Sequence, residues 1–168
     1  MKFKNILFLM VFISFLPNVG ALAKEPEPTF FVTPWTSKCQ ESPPSKEKIC
    51  VLEKYLFEDK NQRNRIGGIG VRTSNQNKNT IITIISPLGI ALNPGVEIGF
   101  GGEKPAAYAF LFCDGGGCVS QFTADDKMLG LLSNRKEMIL TYQLLNGKKI
   151  AINVDLENFK SLYSGIKQ

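Results

Sequence analysis

Four cysteines, Cys39, Cys50, Cys113 and Cys118, are the residues of this 168-residue chain whose spacing most directly implies chemistry. An even number in an exported chain reads as a disulfide framework with three possible connectivities. Sequence proximity favours Cys39–Cys50 and Cys113–Cys118. In the loop-entropy account each closure contributes roughly 2–3 kcal/mol, less any strain. Mixed pairing would close longer loops, and entropy alone does not exclude it. Zinc fits poorly, because C-x10-C and C-x4-C are not zinc-module spacings and the chain has no histidine. Neither pair has the two-residue spacing of a thiol redox motif.

The lack of histidine also excludes Ser-His-Asp and Cys-His catalysis. Ser133-Asn134-Arg135-Lys136 matches S-x-x-K, but its partner motifs are absent, and a polar turn before the strand near Met138 explains it better. Gly67-Gly68-Ile69-Gly70 lacks the lysine and hydroxyl of a phosphate loop and reads as a bulge or a close backbone approach. Asp114, Asp125 and Asp126 match no calcium loop and suit turns and caps. A glycosidase needs two acids in one cleft, and nothing selects a pair among the 15 acids. Tyr55, Phe57, Phe100, Tyr108, Phe110 and Phe112 could line a ligand groove, although strand spacing favours a core role. No catalytic residue, cofactor site or metal site is assigned.

Charge is the remaining lead. The chain carries 20 basic and 15 acidic residues. The excess is local: Lys46, Lys48, Lys54, Lys60, Arg63, Arg65, Arg72 and Lys78 face four acids, Glu47, Glu53, Glu58 and Asp59, within residues 46–78. Such a face suits an anionic lipid, a glycan or a nucleic acid. The competing reading is a solvated edge, where lysines guard exposed strands from pairing with other chains.

The N-terminus sets the compartment. Lys2 and Lys4 precede the apolar run Ile6–Leu16, then Pro17, Gly20 and Ala21-Leu22-Ala23. This order reads as a secretory signal peptide over residues 1–23. The run is too short to span a bilayer, which needs about 20 residues. No cysteine at the cleavage point supports lipid modification. Residues 24–168 then form a single domain, and removing Lys2 and Lys4 leaves 18 basic against 15 acidic residues.

Elements follow from pattern. After an extended arm at 24–29, Phe30–Val32 starts a strand, with Pro34 at an edge or bend. Residues 41–48 read as a loop. Ile49–Phe57 and the Gly-rich Ile66–Arg72 are strands around a polar turn at 60–65. Thr80–Ser86 is β-branched almost throughout, which predicts a central strand buried on both faces. Val96–Phe100 is a short strand. Ala106–Cys113 and Cys118–Phe122 predict a hairpin whose tip, Asp114-Gly115-Gly116-Gly117, is clamped by Cys113–Cys118. Thr123–Asp126 caps a short helix through Leu132. Residues 138–144 and 150–154 alternate around Asn146-Gly147, a type I′ hairpin signature. Leu156, Phe159, Leu162 and Tyr163 predict a C-terminal amphipathic helix with Asp155 as its N-cap. The fold class is mostly β: an antiparallel sandwich or barrel-like domain with one or two short helices.

The sequence resembles the invasion-associated locus B family of exported bacterial proteins. The likeness rests on Trp35 with Cys39, Cys50, Gly70-Val71-Arg72, Ser86-Pro87-Leu88-Gly89 and Pro94-Gly95-Val96. It continues through Phe112-Cys113, Cys118-Val119 and Val154-Asp155-Leu156-Glu157-Asn158-Phe159, from about residue 30 to 166. The resemblance implies a small exported β domain with two disulfides, located in the periplasm, at the outer membrane or outside a Gram-negative cell of alphaproteobacterial type. It also implies a role in host-cell invasion, notably of erythrocytes, defined genetically. It supplies no catalytic residues. The charged segment 58–65 and the glycine-rich tip depart from the family pattern.

These readings predict a non-enzymatic binding protein of the envelope or exterior. The expected interaction surface is Lys60, Arg63, Arg65 and Arg72, or Asp114, Gly115, Gly116 and Gly117. The expected partner is a protein, a glycan or an anionic membrane surface rather than nucleic acid. The alternatives are a small periplasmic hydrolase using carboxylates and a carrier of a small apolar ligand.

Overall fold

A computed structural model describes residues 30–43, 47–73 and 79–167. The signal-peptide segment, the arm at 24–29, Lys46 and Lys78 lie outside the described residues. In chain order the elements are β1 (Phe31–Val32), β2 (Thr36–Ser42), β3 (Glu47–Phe57), β4 (Arg65–Thr73), β5 (Thr80–Ser86), β6 (Val96–Gly99), β7 (Ala106–Tyr108), β8 (Phe112–Asp114), β9 (Gly117–Ala124), α1 (Asp126–Asn134), β10 (Glu137–Gln143), β11 (Lys149–Asp155) and α2 (Phe159–Ile166). They form two antiparallel sheets that do not close into a barrel. The larger has seven strands in the order β1-β3-β4-β5-β9-β8, with β2 also on β3; the smaller runs β11-β10-β6-β7.

Alternation builds the core. Leu52 and Leu56 on β3, Ile69 and Val71 on β4, and Ile82 and Ile84 on β5 point inward. Val96, Ile98, Leu140, Tyr142, Ile152 and Val154 of the smaller sheet join the same buried cluster. Met128 and Leu132 of α1 and Phe159, Tyr163 and Ile166 of α2 complete it. Asp125 caps α1, its carboxylate accepting the Met128 amide at 2.7 Å.

Both disulfides link residues directly opposite one another on antiparallel strands, Cys39 to Cys50 and Cys113 to Cys118. The first ties β2 to β3 and the second ties β8 to β9. β2 and β8 are the outermost strands on opposite sides of the larger sheet. The sulfur bridges therefore staple its two edges, where strands have only one neighbour.

Several expectations change. The 41–48 loop is strand at both of its ends, since β2 reaches Ser42 and β3 begins at Glu47; residues 44–46 lie outside the described residues. Ala106–Cys113 is not one strand. β7 pairs with β6 in the smaller sheet, and the chain crosses at residues 109–111 before β8 joins β9. The hairpin tip is tighter than four residues, because Asp114 already pairs with Gly117. Of the six aromatic residues read as core, Phe100 is buried, Tyr55, Phe57, Tyr108 and Phe110 are half-buried, and Phe112 is exposed. The Asn146-Gly147 turn is not type I′, since only Gly147 has positive φ. The Gly147 amide donates to the Leu144 carbonyl and the Leu144 amide to that of Lys148, which is a three-residue turn with a glycine bulge. The Asn146 side chain accepts the Lys148 amide at 3.0 Å and holds that shape.

Asp155 does not cap α2; Asn158 occupies that position without a side-chain bond. Asp155 instead meets Lys54. Alternation on β3 turns Lys54 inward between Leu52 and Leu56, and it is fully buried. Its ammonium donates to the Asp155 carboxylate at 2.8 Å and to the Asp155 carbonyl at 2.9 Å. The Trp35 ring lies 5.3 Å from the same nitrogen. The Trp35 indole donates to that carbonyl at 3.1 Å and packs edge-on against Phe159 at 5.1 Å. One buried cation thus pins β3 of the larger sheet to the end of β11 in the smaller, beside α2.

A buried charge that loses its partner destabilises far more than an apolar replacement of the pair. Asp155→Ala is expected to lower the unfolding free energy by about 3 kcal/mol in urea titration, and Lys54→Met by about 1 kcal/mol. The double variant should recover much of the loss of Asp155→Ala. Equal damage from Lys54→Met and Asp155→Ala would contradict this.

Candidate interaction surface

The same alternation that packs the inner face of the larger sheet leaves an outer face with no layer over it among the described residues. Pairing puts Thr36 and Lys38 beside Glu53 and Val51, Arg72 beside Val51, and Gly70 and Gly68 beside Glu53 and Tyr55. Across β4 the row continues to Thr83 and Ile85, then to Gln121 and Val119 on β9. Thr80–Ser86 is central as expected, but only one face is buried. Ile81, Thr83 and Ile85 are half-exposed, because both helices and the smaller sheet lie on the other side.

The centre of this face is a trough. Gly68 and Gly70 supply no side chains, so backbone forms the floor. Tyr55, Arg65, Arg72, Thr83, Ile85 and Gln121 line an open cavity of about 410 Å³ around it. A second cleft of about 360 Å³, lined by Lys38, Gln40, Glu41, Ile49 and shared Val51 and Glu53, lies beside it. Volumes of this order suit a small-molecule or saccharide-sized group. The Arg65 guanidinium stacks on the Tyr55 ring at 4.8 Å. The Gln121 amide donates to Thr83 Oγ1 at 3.0 Å.

The acid in the trough wall is neutralised. Glu53 accepts from Lys38 at 2.7 Å and from the Tyr55 hydroxyl at 2.5 Å. Burial alone would push the Glu53 carboxyl up, but the hydrogen bonds from Lys38 and Tyr55 outweigh it, so its pKa falls below the ordinary carboxylate value. The hydrogen bond to Glu53, then that to Tyr55, raises the Lys38 ammonium. Both partners stay charged across the neutral range, which leaves Arg65 and Arg72 as the uncompensated charge of the trough. Glu103, held by Lys127 at 3.0 Å, is likewise lowered. Neither Glu53 nor Glu103 is a carboxyl held protonated at neutral pH.

The expected surface residues separate into three places. Arg65 and Arg72 stand at opposite ends of β4 on the outer face. Lys60 and Arg63 are exposed in the turn between β3 and β4. Asp114–Gly117 forms the tip of the β8–β9 hairpin, where Asp114 accepts the Gly116 amide at 2.8 Å. Gly115 and Gly116 are exposed, whereas Gly117 is buried with φ 131°, and a Cβ there would lie 2.4 Å from the Ser86 carbonyl oxygen. Gly117 is thus a packing residue. Lys54 leaves the basic group altogether, being inside. Lys38, Gly70, Thr83 and Gln121 belong to the surface but carry no motif; only the pairing register reveals them.

The glycines of β4 are not equivalent. A Cβ on Gly67 would meet the Ile85 carbonyl oxygen at 2.3 Å, and one on Gly68 the Lys54 carbonyl oxygen at 3.1 Å. Gly70 has ordinary φ and only van der Waals neighbours, Val51 and Thr83, at 3.8 and 3.9 Å. Packing therefore demands glycine at 67 and favours it at 68. At 70 its one visible consequence is the open trough.

A family model described as Invasion associated locus B (IalB) protein matches residues 35–167. Among solved structures, the chain is similar to invasion associated protein B from Bartonella henselae. That likeness has a TM-score of 0.68 and 16% identity, over 79% of this chain and 89% of the other. At that identity it is a likeness of fold. No curated protein matches the sequence.

Gly70→Ala is expected to raise the melting temperature, since glycine in a strand costs up to about 1 kcal/mol relative to alanine. Gly67→Ala should lower it, because backbone must move. The reverse order in thermal unfolding would contradict this reading of β4.

Proposed function

Since this chain belongs to the Invasion associated locus B (IalB) family, we propose that it works outside the cytosol as a binding protein of the bacterial envelope or exterior. Its ligand is an acidic glycan of an envelope or host-cell surface, held on the outer face of the larger sheet. Three features support export: the basic, apolar and small-residue order at the N-terminus, the pairing of all four cysteines, and the family itself. The single observation that carries the binding role is the glycine-floored trough with Arg65 and Arg72 at its ends.

The chemistry favours a saccharide over a flat protein partner. Guanidinium groups bind carboxylate or sulfate in paired hydrogen bonds. Thr83 and Gln121 offer hydroxyl and amide partners to sugar hydroxyls. The neighbouring cleft extends the groove across the strands, which suits a chain of linked units. A role in host-cell invasion, of the erythrocyte among others, fits this ligand class, and the family is described as invasion-associated.

The test uses the protein purified after export from a bacterial host, with heparin as an acidic polysaccharide probe and erythrocyte membranes as the natural surface. The protein is expected to bind both, more weakly as salt rises. Arg72→Glu, which loses one charge-assisted contact, and Gly70→Val, which fills the trough, should each weaken binding at least about tenfold. Unchanged binding in both variants would contradict the assignment of this face.

A further inference from the structure

The end of the molecule where β5 leaves the larger sheet carries a second surface, distinct from the trough. Pairing of Phe57 with Arg65, Gly68 with Ile85, and Ser86 with Cys118 puts three loops at that end: the 58–64 turn, the 87–95 loop and the 115–116 tip. An isolated bridge between Ile90 and Leu144, and a hydrogen bond from the Ala91 amide to the Gln143 carbonyl at 2.7 Å, hold the 144–148 turn against the 87–95 loop.

The large apolar side chains left in water among the described residues gather there. Leu88, Leu92 and Leu145 are 57%, 58% and 78% exposed, each on a loop rather than a strand. Leu111 and Phe112, also more than half exposed, flank the hairpin tip. Apolar residues of this size are ordinarily scattered singly on a surface; gathering at one end marks an interaction site. Among them stand Lys60, Arg63 and Lys148, all exposed and none in an ion pair among the described residues. The same end also carries three acids, each hydrogen-bonded to an amide. Glu58 accepts from the Asn64 side chain, Asp59 from the Arg63 amide, and Asp114 from the Gly116 amide.

We propose that this end docks on an anionic lipid bilayer, with Leu88, Leu92 and Leu145 entering the headgroup–acyl boundary and Lys60, Arg63 and Lys148 meeting lipid phosphates. Leucines on separate projecting loops match a yielding plane. A helix or strand of a protein partner would need a groove or a sheet edge instead. Loop leucines at the same end as exposed lysine and arginine pair the two attractions that peripheral membrane binding uses, apolar insertion and charge. Such a contact would concentrate the protein at a membrane and leave the outer sheet face free.

Vesicle sedimentation tests this with the exported protein and vesicles of phosphatidylcholine, with or without phosphatidylglycerol. The protein is expected to sediment with the anionic vesicles and much less with the neutral ones. The triple variant Leu88→Ser, Leu92→Ser, Leu145→Ser should lose at least tenfold in binding to anionic vesicles. It should keep its circular dichroism and both disulfides, because these side chains pack against little. Lys60→Glu with Arg63→Glu should abolish the preference for anionic lipid. Heparin binding by the leucine variant should be unchanged, so failure here is separable from failure of the trough. No sedimentation with either vesicle, or equal sedimentation of the leucine variant, would overturn the proposal. So would a lipid-free dimer that the leucine substitutions dissociate, since a second copy would then be the occupant.

Discussion

A single buried cation organises this molecule. Lys54 sits on a strand whose neighbours Leu52 and Leu56 must face the core, and alternation leaves it no route to water. An unpaired ammonium in that position would cost several kcal/mol. Its compensation comes from the last residue of β11, through both the carboxylate and the carbonyl of Asp155. That requirement fixes where the smaller sheet ends relative to the larger one. Trp35 donates to the same Asp155 carbonyl and packs against Phe159, which also fixes where the chain enters β2 and where α2 begins. The contact joins residues 101 apart in sequence, so it constrains the assembly of the two sheets rather than any single hairpin.

With the core, both helices and the smaller sheet on one side, the larger sheet is left with an open face. A sheet in that position is vulnerable at its outermost strands, since β8 is three residues long and β2 is polar. The two disulfides lie where that weakness is greatest. Stapled edges and a pinned inner face together fix the strands whose outer face carries the trough. They do so without covering Ile81, Ile85 or the floor at Gly70. A packed core and an exposed, glycine-floored face are therefore supplied by different sides of the same seven strands.

Much of this was legible in the residues. The alternation at 138–144 and 150–154, the β-branched run at 80–86 and the capping Asp125 before α1 each act locally, and these elements form where their patterns point; the helical spacing at 156–163 gives α2 too, but only from Phe159. What escaped local reading was set by distant partners. Lys54 reads as one more surface charge until its inward register and Asp155 are known. Asp155 reads as a helix cap because its true partner lies on β3. The alternating Tyr108, Phe110 and Phe112 suggest one strand, yet the chain changes sheets between them. β2 has no apolar periodicity, being the outer strand of a hairpin closed by sulfur. Of the interaction surface, Arg65 and Arg72 were visible as charge. Gly70, Thr83 and Gln121 became part of it only when three strands aligned.

The central claim is that the open face of the larger sheet is the recognition surface. Amide chemical-shift mapping during titration with a heparin oligosaccharide addresses it most directly. The expected result is that the largest shifts fall on Tyr55, Gly68 to Arg72, Thr83 and Gln121, with α1, α2 and the smaller sheet little changed. Shifts confined to the helices or the smaller sheet, or none at saturating oligosaccharide, would contradict it.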